Sequence, residues 1–472
     1  MLRSLLLAIA LTSVATTAGA QALSSDDLAR RNLERRAVEA VIWGMPLVNY
    51  DQMFQAVLRQ AKGGFNEVVF WSRLVDWKNQ TLTPNPDAIY LMPFIDTKEA
   101  GPMVIEIPPA DTGVINGTIM NAWQVPLEDV GPAGADKGKG AKYLVLPPDY
   151  KQKPPPGYIA LPSDTYRGYA LLRSILKSGS AADLEKAVAY GKRIKVYPLS
   201  QAAKPPATRF HDAADTLFEA AIPYSARYFE ALDRQVQAEP WLTRDKAMID
   251  QLKTIGIEKG KPYVAGGARQ ATLDAAAQEA RAWLEMKYEQ AFATPYFDGS
   301  RWALPVSPDY VTSAPKNFAV PDSYPVDGRG ILFSFIFFTP KTLGAGQFYL
   351  MTIMDKDGQA LDGGHAYRLT VPTKVPVTQY WSVTVYDRAT HTLIREMARP
   401  GRSSQSPELQ RNADGSVDLW FGPTAPAGKE GNWIPTRAGA RFEALFRFYG
   451  PEKALFDKSW KLPDIETVKQ EQ

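Results

Sequence analysis

The sequence predicts an α+β chain, with two antiparallel β-sandwich (jelly-roll-like) domains separated by a helical segment. Three observations predict it. In the stretch 379–388, Q-Y-W-S-V-T-V-Y-D-R, Trp381, Val383 and Val385 alternate with Tyr380, Ser382, Thr384 and Tyr386. That two-residue period, rich in β-branched and aromatic side chains, marks a strand with one buried face. Short apolar runs bounded by Pro and Gly recur between residues 89 and 146. Helical spacing then dominates residues 210 to 293.

A chain of 472 residues is too long for one ordinary core. The boundaries fall at 1–20 for a signal peptide, 21–65 for N-terminal helices, 66–200 for a first β domain, 201–325 for the helical segment and 326–472 for a C-terminal sandwich. An apolar fraction of 45% and a charged fraction of 22% fit a soluble globular protein. A formal charge of +3 without a Lys/Arg run argues against nucleic-acid or membrane-surface partners. With no cysteine, the chain has no disulfides, thiolate metal sites or cysteine nucleophile.

Arg3, the apolar run Leu5 to Val14 and Ala18-Gly19-Ala20 have the form of a secretory leader cleaved after Ala20. A periplasmic protein is expected, with secretion into the medium as the alternative. Ser24 to Asp27 offer caps to a helix through Leu28, Leu33, Ala37 and Val41, which Gly44-Met45-Pro46 should interrupt before a second helix from Asp51. Strands are expected at Ile89 to Phe94, Met103 to Ile107, Thr118 to Val125 and Tyr143 to Leu146. The glycine-rich stretch 131–140 lacks the glycine and hydroxyl positions of a phosphate loop and is expected to be a hairpin tip. Ser180 and Asp183 cap a helix through Leu184 and Val188, followed by a short strand at Ile194 to Tyr197.

Helical stripes follow at Leu217 to Ile222, Tyr228 to Leu232, Met248 to Leu252 and Ala271 to Phe292. Periodicity leaves helix or strand open at Ile331 to Phe338. Five strands close the chain, at 347–355, 367–371, 379–388, 416–421 and 441–449. In the last, Phe442, Ala444, Phe446 and Phe448 oppose Glu443 and Arg447. Asp355-Lys-Asp-Gly358 and Asn412-Ala-Asp-Gly415 form turns; the first lacks the twelfth-position Glu of a calcium loop.

Three histidines, His211, His365 and His391, lie at no metal-binding spacing and are expected as caps or surface residues. No metal or cofactor is predicted. In Asn85-Pro86-Asp87, prolines hold a carboxamide and a carboxylate rigidly at a strand entrance, as a site or as an Asx turn. Asp387, Arg388, Asn432, Trp433 and Arg447 form a second polar set, either a brace or a cleft lining. In a cleft, Asp87 or Asp387 would act as acid or base with Tyr90 or Tyr386 assisting, and Arg447 would clamp an anion. Trp123, Trp381 and Trp433 would stack on a sugar or aromatic ligand, or else fill the core.

W-G-M-P-L-V-N-Y (43–50), T-P-N-P-D-A-I-Y (83–90), S-D-T-Y-R-G-Y-A-L-L-R (163–173), Y-W-S-V-T-V-Y-D (380–387), G-N-W-I-P-T (431–436) and F-R-F-Y-G-P (446–451) occur in this order. Together they resemble a bacterial family that pairs DUF1254 with DUF1214, both of unknown function. The resemblance implies two β-sandwich-like domains joined by a helical segment and supplies no catalytic residues. Ala88 stands where the family motif more usually has Thr, and Arg399-Pro-Gly-Arg-Ser replaces an R-Y-S stretch.

The expected function is the handling of a small polar or glycan-like ligand in an interdomain cleft, as a hydrolytic or lytic enzyme. The alternatives are a binding module without turnover, or an assembly protein whose strand edges pair copies into a homo-oligomer.

Overall fold

The computed structural model describes residues 23–267, 269–337 and 340–468, so the leader at 1–20 lies outside the described residues. Helix α1 (Ser25–Arg59) begins where the Ser24 hydroxyl accepts the Asp27 amide. It is not interrupted: Pro46 sits inside it. Proline removes one ladder bond, and side chains engage carbonyls on either side of the gap. Tyr228 donates to Val41 O (2.7 Å) and Gln124 to Pro46 O (2.7 Å). Residues 40–51 are buried on every face, so tertiary packing overrides the local helix-breaking signal.

The first half continues through β1 (Glu67–Phe70), β2 (Asn79–Gln80), β3 (Ala88–Asp96), the single turn α2 (Thr97–Ala100) and β4 (Met103–Ile107). Next come β5 (Ile115–Asn121), β6 (Pro126–Val130), β7 (Ala141–Leu146), β8 (Ile159–Pro162) and β9 (Arg167–Ile175). Helix α3 (Ala181–Gly191), capped by Ser180, leads to β10 (Lys195–Pro198), β11 (Phe210–Asp212) and β12 (Phe218–Glu219). These strands form a six-stranded sheet, β11-β1-β3-β9-β5-β6, a four-stranded sheet, β10-β4-β7-β8, and the pair β12-β2.

Two local expectations change here. The strand expected at Thr118 to Val125 ends at Asn121, and Gln124 takes a positive φ of 58° in the turn that follows. The helical stripe expected at Leu217 to Ile222 contains β12 instead, paired in parallel with β2. The stretch 131–140 joins two different sheets rather than two hairpin strands, with Asp136 accepting the Gly131 amide (2.7 Å).

Helices α4 (Arg227–Ala238), α5 (Lys246–Leu252), α6 (Gln270–Ala291), α7 (Pro308–Ser313) and α8 (Val326–Ile331) follow. The ambiguous apolar run is helical, continuing α8 as a π-helical turn, Leu332–Ile336. Phe338 lies outside the described residues. Then come β13 (Gln347–Thr352), β14 (Tyr367–Val371), β15 (Val377–Asp387), β16 (Gly401–Ser403), β17 (Val417–Gly422), β18 (Trp433–Pro435) and β19 (Phe442–Pro451). A short helix α9 (Lys453–Phe456) and β20 (Glu466–Thr467) end the described chain. They build two four-stranded sheets, β13-β19-β15-β16 and β18-β17-β14-β20.

The architecture is mixed α+β with antiparallel-rich sheets, although β1/β11, β7/β8 and β17/β18 pair in parallel. Alternation along each strand divides the apolar residues among cores. Val68, Phe70, Ile89 and Leu91 meet Met103, Ile105, Tyr143 and Val145. Trp381, Val383, Val385, Phe446 and Phe448 meet Leu369, Val371, Leu419 and Phe421. The opposite faces share a third core: Tyr90, Met92, Phe94 and Tyr169, the helices α1, α4 and α6, and Tyr349, Tyr380, Tyr386 and Tyr449. β15 therefore buries both faces, where its alternation had suggested one, and the helices pack into the same core as both sets of sheets. Among the described residues, no helix is long and apolar enough to cross a membrane.

Candidate functional site

The loop ahead of β3 ties the two halves together. Thr83 adopts a positive φ of 36° and donates its amide to His391 O (2.9 Å). Asn85 closes an Asx turn by accepting the Asp87 amide (3.0 Å), and its own amide donates to the Tyr90 hydroxyl (2.8 Å). Its side-chain nitrogen donates to the hydroxyls of Tyr380 and Tyr449, each at 2.9 Å. Those two rings stack 4.4 Å apart on neighbouring strands. Arg447 donates to Thr83 O (2.8 Å), Thr384 Oγ1 (2.8 Å) and the Tyr386 hydroxyl, and Tyr386 donates to Pro84 O (2.8 Å). Asn85 and Arg447, far apart in sequence, therefore meet, as do Tyr90 and Tyr386 with the same loop.

Beyond this anchor the loop turns outward. Pro86 and Asp87 line a cleft of about 280 Å³ with residues 74–76 on one side and 398–403 and 405–408 on the other. Asp87 Oδ2 is buried without a hydrogen-bond partner. Burial pushes the carboxyl up to about 6, against the opposing pull of the Arg447 charge and the Ser382 and Ser403 hydroxyls. A carboxyl held near neutral pH at a cleft between two halves of a molecule is equipped for proton transfer.

Asp387 is elsewhere. It accepts from Arg437 (2.8 Å) and from the Ala389 amide (2.8 Å), beside a shallow depression lined by Arg388, Glu285 and Glu289. Ser382, whose hydroxyl acts on Asp87, precedes Asp387 by five residues on β15, or roughly 17 Å. The two carboxylates expected to converge share no cavity: Asp87 stands in the loop ahead of β3, beside the middle of β15 at Ser382, whereas Asp387 is the last residue of that strand.

None of the three tryptophans lines the Asp87 cleft. Trp123 lies beneath α1, edge-on to Trp43 at 4.8 Å, with Arg329 over its ring. Trp381 stacks on Phe446 in the C-terminal core (5.6 Å). Trp433 donates to Gly422 O (2.9 Å), and Asn432 bridges Gln410 O and Asp418 O. These are bracing roles.

Three groups escaped the sequence reading. Arg173, at the end of the apolar run Y-A-L-L-R, is buried beside Tyr90 (3.3 Å). Ser403 ends β16, a strand of three residues and too short to carry a periodic signal. His391 was expected as a cap or surface residue, yet it is buried, 2.9 Å from Glu443 and 3.7 Å from Glu285. Tyr288 and Arg388 complete that network through Glu443 and Glu285. His391 carries a positive φ of 55° where the chain turns after β15, and that turn aims its ring inward.

The family model described as DUF1254, a protein of unknown function, matches residues 65–198, and that described as DUF1214, also of unknown function, matches residues 346–453. No curated protein matches. The VPA0106 protein from Vibrio parahaemolyticus has a similar crystal structure: TM-score 0.56 at 18% identity, over 93% of this chain and 100% of that one. An uncharacterized protein from Burkholderia cenocepacia aligns at TM-score 0.40 and 12% identity, over 93% and 94% of the two chains. The first likeness bears on the fold alone.

Proposed function

We propose that this chain, which joins a DUF1254 region to a DUF1214 region, takes a small polar or glycan-like molecule into the Asp87 cleft and cleaves it with Asp87 as the acid–base group. The observation that carries this reading is the unpartnered, buried oxygen of a carboxyl that lines that cleft and is raised to about 6. Above pH 6 such a carboxylate is ionised and still basic enough to take a proton from water or a sugar hydroxyl. Ser382 and Ser403 stand beside it to orient that group. Asp76 and Glu408, which line the same cleft, replace Asp387 as the source of a second carboxylate. Export is supported by the leader-like residues ending in Ala18-Gly19-Ala20.

The test is a screen of the full chain against glycoside, ester and lyase substrates between pH 5 and 8, with Asp87→Asn and Asp387→Asn alongside. Turnover should fall below pH 6 and drop by about 10²-fold or more in Asp87→Asn, while Asp387→Asn retains it. Equal turnover in wild type and Asp87→Asn would overturn the assignment. Ligand binding that persists without turnover would favour the binding-module reading.

A further inference from the structure

A second cavity, separate from the Asp87 cleft, adjoins the same loop at Thr83 and Pro84. Thr83, Pro84, Tyr90, Tyr349, Arg173 and Arg447 line it, together with several apolar side chains. The space open to water centres is about 20 Å³, enough for one body of water size. Both arginines are buried, at 6% and 2% exposure. Buried cations are ordinarily matched by carboxylates, as Arg388 is by Glu285 and Glu289. Among the described residues, neither Arg173 nor Arg447 forms an ion pair.

Their hydrogen bonds do not supply the missing charge. Arg447 reaches a threonine hydroxyl, a tyrosine hydroxyl and backbone carbonyls, all neutral. Arg173 donates only Nε, to Tyr90 (3.3 Å), and sets its guanidinium over that ring. Its Nη1 and Nη2 groups have no partner among the described residues, although a guanidinium carries five N–H donors. Aromatic rings also face these cations, Tyr349 and Tyr386 beneath Arg447 and Tyr90 beneath Arg173, as Trp123, Phe318 and Tyr324 face the buried Arg329.

We propose that Arg173 and Arg447 hold a small monovalent anion, of chloride or formate size, in this second cavity. Two positive charges stand there, and the nearest acidic group to act on Arg447 is Asp87, in the neighbouring cleft. One further negative charge balances the site. A space of about 20 Å³ suits a monatomic anion such as chloride, formate would test its upper limit, and sulfate, phosphate and larger carboxylates exceed it. The uncommitted N–H groups of Arg173 are the donors such an anion needs.

The experiment follows thermal unfolding of the full chain at pH 7.5 and constant ionic strength, with gluconate, too bulky for the cavity, replaced stepwise by chloride or by formate. Wild type should gain a saturable rise of roughly 2–4 °C, and the anion saturating at lower concentration is the better occupant. Arg173→Gln should abolish the rise while melting no lower than wild type in gluconate, because the charge removed is the unbalanced one. Crystals soaked in bromide should show an anomalous peak between Arg173 and Arg447. A melting temperature indifferent to the anion, an equal rise in Arg173→Gln, or no bromide in the cavity would each overturn the proposal.

Discussion

At the scale of single residues, Asp87 and His391 make the folded state sensitive to pH in separate windows. Asp87 has an ordinary value of 3.8 and a folded value of about 6, because burial disfavours its charge. The native state therefore keeps a proton that the unfolded chain has already released. Its contribution to stability falls as pH rises from about 4 to about 6, and above that it is a constant penalty of about 3 kcal/mol. Asp87→Asn should be more stable than wild type at pH 7.5 by up to that amount and indistinguishable below pH 4, as urea unfolding would measure. A variant that gains stability while losing turnover is the behaviour of a working acid–base residue. For His391, burial pushes the imidazole down, but Glu443 and Glu285 more than offset it and leave the ring raised. Its stabilisation is complete below pH 6.5 and is lost as pH rises through the folded value. His391→Gln should cost about 3 kcal/mol at pH 6 by removing the cation that faces both Glu443 and Glu285, with a smaller loss at pH 8.5.

At the scale of elements, close approach between helices explains where sequence reasoning succeeded and failed. Helix α8 crosses α1 at Gly330, where a Cβ would lie 2.8 Å from Leu284 Cδ2 and 3.3 Å from Ile42 O. Ile42 O is the carbonyl that Pro46 leaves without its helical donor. Gly330→Ala should therefore destabilise by about 1–3 kcal/mol, read as a lower urea midpoint at unchanged slope. No periodic pattern announces such a crossing, so the sequence suggested a broken helix at Pro46. Strands with strong alternation were legible, with β14 at Tyr367–Val371 matching its expected bounds. Alternation reports which residues share a face, not what covers that face, so the burial of Tyr380, Ser382, Thr384 and Tyr386 beneath the other half was not readable. The same limit applies to the site. Asn85 and Asp87 were visible because two prolines frame them. That Asp387 lies outside the Asp87 cleft was not readable, because Asp87 comes to stand beside β15 only through the docking of the two halves. Arg173 was concealed by the apolar residues around it, although a lone charge ending such a run is itself a sign of a buried cation.

At the scale of the molecule, the two family regions are not independent bodies. The face of β13, β19 and β15 that carries Tyr349, Met351, Tyr380, Tyr386, Leu445 and Tyr449 lies in one core with α1, α4, α6 and the six-stranded sheet. Asn85, Arg447 and Tyr386 fasten the polar groups of that face to a loop from the other half. Removing the first half would expose a continuous apolar surface and take from Arg447 the Thr83 and Pro84 carbonyls it donates to. Two consequences follow. The full chain should unfold in one calorimetric transition rather than two. A fragment spanning residues 346–453, the DUF1214 match, should bind a hydrophobic dye and aggregate, even though it includes most of the strands of the C-terminal sheets. Asn85→Ala tests the same coupling in the intact chain. It leaves the Tyr380 and Tyr449 hydroxyls without their shared donor and should cost about 1–3 kcal/mol. If the interface is the weakest seam, the variant should also split the single transition in two. A fragment that folds alone with a cooperative melt would show that the C-terminal core at Trp381 and Phe446 is sufficient by itself, and that the shared core only positions the clefts.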